Sequence, residues 1–462
     1  MNTKNIGEEL EQNSLQKTIG KYALPAILSG LVAALYNIID QLFIGHIIGI
    51  DGNAATNIAF PLVTLTTAIM LLLGLGGAVN FSIALGKKDL ERGKKFVGAV
   101  LVVTPLVGLL ITTITLLFLN PLLWTLGATE NSFDLAFSYV SITAFGFPLW
   151  MSAEATTKVI RSDGSPKYAM ICSLTGAFLN CILNPLLMIG FDMGIEGAAW
   201  ATVIGQGVSF FLAIRYFKNF KSFPLKWEEI KPDSTIIKQI CKIGAAPFLQ
   251  QLVMMLTQIV MNNMVVHYGG LSAYGTEIPL ACVGIITKVN ALYMAIMIGI
   301  AQGAQPLLGY SYGAKKPDKV LEIYLQCIKY ACAISVLVFL SFQIFPRQIL
   351  SAFGGEGELF FEFGVNYFRI FMALTFLNGI QPVTFNFFTA IGKPLKSAIV
   401  SLSKQLLFLI PLLLILPTFL GIDGLLYAGP VADSLAFAIT MVFLRKEISE
   451  LQGNPPEETV IA

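Results

Sequence analysis

Long apolar stretches recur along this chain of 462 residues and constrain its fold more than any other feature. A helix needs about 20 consecutive apolar residues to cross the hydrocarbon core of a bilayer. Only 13% of the residues are charged, whereas soluble domains carry about 25%. Divided at charge clusters, prolines and turn residues, the sequence predicts an all-α integral membrane protein of the cell (plasma) membrane. Its twelve predicted spans are residues 22–48, 56–83, 96–120, 135–160, 168–190, 197–217, 240–265, 281–309, 321–344, 361–389, 398–418 and 425–444.

Basic residues mark the predicted loops on one side of the membrane. Lysine and arginine cluster at residues 87–95 after the second span, at 215–242 after the sixth and at 315–319 after the eighth. The charged residues of the opposite loops are Arg347 and otherwise acids. Because short cytoplasmic loops hold the excess of lysine and arginine, an even number of spans predicts that both termini lie in the cytoplasm. The polar first 20 residues lack the features of a cleaved signal peptide.

The two halves of the chain repeat the same prolines, glycines and loop segments at an offset of 222 to 228 residues. The matched segments are Pro25 with Pro247, 85–88 with 312–316, 164–166 with 392–394, and 194–197 with 421–424. Each copy holds six spans, so we expect two six-helix bundles related by a pseudo-two-fold axis along the membrane normal, with a substrate cavity between them. The alternative is a duplicated scaffold that forms only a pore or an anchor.

This repeat predicts five consecutive segments of the chain. They are a cytoplasmic N-terminal segment 1–21, an N-terminal lobe 22–217, a cytoplasmic linker 218–239, a C-terminal lobe 240–444 and a cytoplasmic tail 445–462. The linker is the longest cytoplasmic connection. The proline- and glutamate-containing end of the tail is typical of disorder.

Composition excludes several classes of function. The 30 basic and 28 acidic residues leave a net charge of +2, too little to predict binding to nucleic acid. Two histidines cannot build the multi-histidine metal sites of many enzymes, and the P-loop and H-E-x-x-H motifs are absent. The six cysteines form no C-x-x-C pair and are expected to be small apolar residues. We therefore expect no enzyme, no cofactor and no resident metal.

Polar residues at membrane depth form a stripe on three spans of the first half. Asp40 lies about two-thirds along the first span, with Tyr36 one turn earlier. The same i, i+4 spacing recurs as Asn180 and Asn184 on the fifth span and as Thr202 and Gln206 on the sixth. A carboxylate with amide and hydroxyl oxygens can hold a proton or coordinate Na⁺, for which Asp40 and Asn180 are the candidate ligands. The alternative is a hydrogen-bond network that only packs the bundle.

The second half lacks a carboxylate at the position of Asp40, where Asn262 stands, and we expect no equivalent charged cluster there. Its seventh span instead carries amides and thioethers that suit a cavity accepting many shapes, although such a stripe is also typical of a helix core. The candidates for the substrate pathway are Glu154, Gln206, Gln251, Met255 and Asn262.

The roles of the remaining charges at membrane depth stay open. Glu154 either pairs with Lys158 or serves as a second proton carrier or an anchor for cationic substrates, and Asp433 of the last span is equally ambiguous. The basic residues are expected to anchor helix ends or to reach the membrane surface; they are Lys158, Arg161, Lys288, Lys329 and Lys404.

Three stretches resemble the multidrug and toxic compound extrusion (MATE) family, and within it bacterial MepA-like and DinF-like members. They are residues 35–45 (LYNIIDQLFIG), 303–314 (GAQPLLGYSYGA) and 197–202 (GAAWAT). The similarity extends over residues 20–444. It implies a V-shaped pair of six-helix bundles, monomeric by family habit, that exports amphipathic, often cationic compounds in exchange for H⁺ or Na⁺.

The resemblance also assigns roles to residues. It implies a cation site at Asp40, Asn180 and Thr202. Many members have aspartate where this chain has Asn184, so we expect H⁺ rather than Na⁺ as the coupling ion. The rival predictions are a flippase of lipids or lipid-linked oligosaccharides, a membrane enzyme, a passive channel and the twelve-span major facilitator fold.

Overall fold

The computed structural model describes residues 6–225, 233–354 and 357–453, and all regular elements in these ranges are helical. Eleven of their helices are long and apolar enough to cross a membrane, and one bent pair makes a twelfth span. We number the spans α1 to α12. They are α1 Leu15–Ile47, α2 Asp51–Gly86, α3 Leu90–Leu117, α4 Ser132–Ser162, α5 Pro166–Gly190, α6 Gly194–Asn219, α7 Ser234–Gly270, α8 Glu277–Gly313, α9 Pro317–Ile344, α10 Glu358–Phe371 with Thr375–Ala390, α11 Pro394–Leu420 and α12 Ile422–Gly453. Short helices cover Ile6–Gln12, Leu119–Thr125 and Pro346–Ala352.

The predicted all-α fold with two lobes is confirmed, and the helices extend beyond the predicted spans. α1 begins at Leu15, seven residues before the predicted start at 22, and α12 continues to Gly453 instead of ending at 444. Polar residues at a helix end do not end the helix, because its hydrogen bonds are all internal. Hydropathy therefore locates the apolar core of each span and not its ends. Residues 226–232 of the predicted linker and 454–462 of the predicted tail lie outside the described residues.

The tenth span is broken, where the sequence predicts one continuous helix over 361–389. Its two pieces meet at an angle of 53° between Phe371 and Thr375. A break at membrane depth exposes backbone groups that need new partners. The carbonyl of Thr375 obtains one, because the Tyr293 hydroxyl from α8 donates to it over 3.2 Å and also bonds the Ser335 hydroxyl of α9 over 2.8 Å.

The lobes α1–α6 and α7–α12 meet along a seam where glycines let backbones touch. A Cβ on Gly303 of α8 would lie 2.4 Å from the Ala23 Cα of α1. A Cβ on Gly313 would lie 2.2 Å from the Ile83 carbonyl of α2. Small residues permit such close packing between membrane helices. These glycines lie toward the end of the molecule with the lysine-rich loops, so the lobes are closed together at that end.

Candidate functional site

Side chains from α1, α5 and α6 form one hydrogen-bonded chain inside the first lobe. The Asn184 amide nitrogen donates to the Asp40 carboxylate over 2.5 Å and to the Asn180 amide oxygen over 3.3 Å. The Asn180 nitrogen in turn donates to the Thr202 hydroxyl over 3.1 Å. The i, i+4 spacing on α5 places both asparagines on one helix face. Packing of α5 between α1 and α6 then brings that face to Asp40 and Thr202.

Within this hydrogen-bonded chain, Asn180 and Asn184 are buried, at 3% and 0% exposure, whereas Asp40 is half-buried. The Asn184 amide oxygen has no hydrogen-bond partner among the described residues. A buried acceptor without a partner is costly, so it favours a proton donor or a cation nearby. In this arrangement the Asp40 carboxylate accepts a hydrogen bond, and a protonated Asp40 has an unused acceptor within the same network.

A cavity of about 780 Å³ lies between the lobes, within the size range of pockets for drug-sized molecules. Tyr36, Asn180 and Thr202 of the cation-site candidates line it, and Asp40 and Asn184 lie behind them. The hydrogen-bonded chain therefore extends from the cavity wall into the lobe. Of the candidates for the substrate pathway, Glu154, Gln206 and Gln251 line the cavity.

Met255 and Asn262 of α7 do not line the cavity, contrary to the sequence-based expectation. The wall is formed by Gln250, Gln251, Met254, Thr257, Gln258 and Met261, which recur at helical spacing. At about 100° per residue, Met255 and Asn262 lie about 40° and 20° past Gln251 around the helix, just beyond the edge of this wall. Asn262 instead accepts a hydrogen bond from Gln258 over 2.8 Å.

Two basic residues of α4 point into the protein rather than to the membrane surface, which corrects the expectation for them. Lys158 and Arg161 are 7% and 9% exposed and both line the cavity. The Lys158 ammonium lies 3.5 Å from the Glu154 carboxylate, and the Ser173 hydroxyl donates to that carboxylate over 3.3 Å. Lys288 and Lys329 are exposed, and their role as membrane anchors stays a prediction.

A second charged cluster occupies the C-terminal lobe, where the sequence predicts none. The Lys404 ammonium of α11 lies 2.7 Å from the Asp433 carboxylate of α12. Asn378 of α10 donates to Asp433 and accepts from Lys404, each over 2.8 Å. All three residues line the cavity. Each stands alone on its helix, so no spacing in the sequence signals the cluster, although Asp433 repeats the position of Gln206.

Comparison with known proteins decides which family this two-lobed fold represents. The family model described as MatE matches residues 25–186 and again residues 247–415, once in each lobe. The chain belongs to the MATE family. Members of this family are ion-coupled transporters without a cofactor, which confirms that the chain is not an enzyme. The two separate matches agree with the repeat found in the sequence.

Several known proteins are similar to this chain over nearly its whole length. The multidrug export protein MepA of Staphylococcus aureus (strain N315) is 25% identical over 436 residues, which make up 94% of each protein. The solved MATE multidrug transporter DinF-BH is 33% identical with a TM-score of 0.88, and the match covers 97% of this chain and 99% of that transporter. A MOP superfamily transporter from Pyrococcus furiosus has the same fold, with a TM-score of 0.89 at 22% identity and coverage of 98% and 99%.

Proposed function

We propose that this MATE protein is a secondary active multidrug efflux antiporter that exports amphipathic or cationic compounds in exchange for H⁺. The observation that carries the proposal is the hydrogen-bonded chain from the cavity wall to Asp40. It links a drug-sized space to a carboxyl group that can change its protonation. The names of the relatives MepA and DinF-BH, both described as multidrug proteins, support the same substrate class.

Coupling works through the partners of Asp40. An ionised Asp40 accepts the hydrogen bond from Asn184 and holds α5 against α1. Protonation replaces the charge by a donor, which turns to the free Asn184 oxygen or to water, so the two states of the network favour different positions of α1. Drug exit toward one side then depends on proton entry from that side, as alternating access requires.

The choice of H⁺ over Na⁺ rests on the ligand set. Na⁺ is a hard cation that binds several oxygen atoms, and each carboxylate among them strengthens the site. The described part of the network offers one carboxylate, and Asn184 turns its amide nitrogen toward that carboxylate. A sodium ion there would need the amide to rotate. Coordination by Asp40 and Asn180 is the alternative, and it predicts sodium-dependent export.

The placement in the cell follows from the loops. We propose a monomer spanning the plasma membrane with both termini and the lysine-rich loops in the cytoplasm. The lobes are 22–217 and 240–444, joined by the linker 218–239. On this orientation the structure has its cytoplasmic end closed, because the glycine seam lies there.

The test uses the purified chain in proteoliposomes loaded with a fluorescent amphipathic cation. An imposed pH gradient should drive dye transport, and a proton ionophore should abolish it. Replacing Na⁺ by choline should leave transport unchanged. If a sodium gradient alone drives transport and a pH gradient does not, the coupling ion is Na⁺. If neither gradient drives transport, the antiporter proposal is wrong.

A lipid flippase is the second candidate, because three basic residues line the cavity. These are Lys158, Arg161 and Lys404. Predicted positions near helix ends would keep them away from a lipid phosphate in the cavity. Their side chains line the cavity instead, which supports this candidate. A flippase would move labelled lipids between the leaflets of the same proteoliposomes. Lipid movement without dye transport would favour this candidate.

A further inference from the structure

The side chains on the cavity wall carry one more positive than negative charge, and Asp40 lies behind the wall with Asn184 as its hydrogen-bond donor. Three basic and two acidic side chains line the cavity among the described residues; they are Lys158, Arg161, Lys404, Glu154 and Asp433. Glu154 pairs with Lys158, and Asp433 pairs with Lys404. Arg161 is left without a carboxylate within 4.0 Å in the described part of the chain. One positive charge in the cavity is therefore not compensated by an ion pair.

Arg161 lies where the lobes come together at the floor of the cavity. One of its terminal nitrogens donates over 3.2 Å to the Gln302 side-chain oxygen of α8. Gln302 precedes Gly303, whose backbone contacts Ala23 in the seam. The Arg161 side chain is 9% exposed, and its Nε has no partner among the described residues. A guanidinium carries five N–H donors, and among the described residues this one has a single side-chain acceptor, Gln302.

A buried charge is stable only when it is paired and hydrogen-bonded. A neutral amide oxygen does not neutralise the guanidinium of Arg161. The planar fork of an arginine fits a carboxylate or a phosphate group, which accepts two parallel hydrogen bonds. Lys158 lies one turn before Arg161 on α4 and supplies a second positive charge whose own ion pair is long, at 3.5 Å.

We propose that Arg161, supported by Lys158, is a binding site for the anionic group of an amphipathic substrate. The apolar part of that substrate packs above it against Met254, Met294 and Phe385, which line the same cavity. The inference rests on the proposed transport function and extends its substrates from cations to molecules with one carboxylate or phosphate.

The experiment measures equilibrium binding to the full chain in a non-ionic detergent by fluorescence anisotropy. Three probes share a pyrene and a short alkyl chain and differ only in the end group: a carboxylate, its methyl ester and a trimethylammonium. Arg161→Gln should weaken binding of the carboxylate at least about tenfold, the usual loss for a hydrogen-bonded charge. It should leave the ester unchanged. Arg161→Lys should keep an intermediate affinity, because it retains the charge but not the fork.

Lys315→Gln is the matched control, because it removes one positive charge from an exposed loop position outside the cavity. It should bind all three probes as the parent does. Equal binding of the carboxylate by the parent and by Arg161→Gln overturns the proposal. If Arg161→Gln does not give a monodisperse protein, Lys158→Gln replaces it. A loss for the carboxylate alone again supports the site, and unchanged carboxylate binding overturns it.

Two further measurements distinguish this proposal from a lipid-phosphate site and from the antiporter proposal. A soluble short-chain phosphatidic acid that displaces the carboxylate probe assigns the site to lipid phosphates as well, and failure to displace it restricts the site to small carboxylates. Gradient-driven transport of a cationic dye is measured in parallel. Dye transport with no Arg161-dependent anion binding overturns only this inference. Anion binding without any gradient-driven transport overturns only the antiporter proposal.

Discussion

The close contact between the lobes at Gly303 predicts how a larger residue there changes the balance between the closed and the open state. In Gly303→Ala the new methyl group would lie 2.4 Å from the Cα and 2.7 Å from the nitrogen of Ala23, whereas ordinary contacts are 3.4–4 Å. The obstacle is backbone, which cannot rotate aside. α1 and α8 must therefore move apart by about 1 Å, the gap between these contacts and ordinary ones.

The strain acts on the closed state and not on a state in which the lobes have separated at this end. Overpacking of this kind costs about 1–3 kcal/mol. A change of that size shifts a two-state equilibrium by about 5- to 150-fold. We expect Gly303→Ala to raise the population of the state that is open at the lysine-rich end by this factor.

The assay follows a thiol introduced within the seam. Ser82→Cys places it at a position that is 0% exposed and faces Gly309 of the other lobe. A maleimide reaches it only when the lobes separate, so its labelling rate, measured on the peptide that contains residue 82, follows the open population. Gly284→Ala is the control on the same helix, because no atom lies within 4 Å of its new methyl group. Equal labelling rates with Gly303→Ala and Gly284→Ala would refute the closed seam as a gate.

Three further predictions concern charged and polar groups. Asn184→Asp supplies the carboxylate that many MATE members have, and dye transport should then rise on replacing choline by Na⁺; no sodium response would contradict our ligand argument. Lys404→Met should lower the free energy of unfolding by about 3 kcal/mol in thermal melts, because Asp433 stays buried without its partner, and adding Asp433→Asn should recover most of the loss. The Lys316 ammonium at 2.8 Å lowers the pKa of Glu11, so this link persists above the ordinary carboxyl pKa and is lost as the pH falls through the lowered value. Limited proteolysis at residues 6–12 should accelerate in that acidic range, and Glu11→Gln should lose the part of this acceleration that depends on the link to Lys316.

The sequence predicts the spans well because they depend on local hydropathy, and it predicts the duplication because prolines, glycines and loop segments recur at a nearly constant offset. It also brings Asn180 and Asn184 to one helix face by spacing alone. That α1 and α6 supply Asp40 and Thr202 to this face depends on packing, which the polar stripes and the resemblance to a family suggest but helical spacing does not determine. The structure places these residues together, and their role in coupling stays a prediction.

The errors share a physical cause. Amides and thioethers lie around a wide arc of α7, so their spacing does not tell where the cavity wall ends on this helix. For this reason the sequence extends the wall to Met255 and Asn262, which the structure places just outside it. Lys404, Asp433 and Asn378 meet from three helices with one residue each, a contact that leaves no periodic signal. The break in α10 is equally invisible in the sequence, because the partner of its Thr375 carbonyl, the Tyr293 hydroxyl, comes from α8.

The central claim is that Asp40 exchanges a proton while the lobes change position. The most direct measurement compares the parent with Asp40→Asn in proteoliposomes with a pH-sensitive dye inside, after addition of an exported cation. In the parent, protons should move in the direction opposite to the substrate, at a rate proportional to the rate of substrate transport. Asp40→Asn should bind the substrate but move no protons. Proton movement by Asp40→Asn at the rate of the parent would contradict the account.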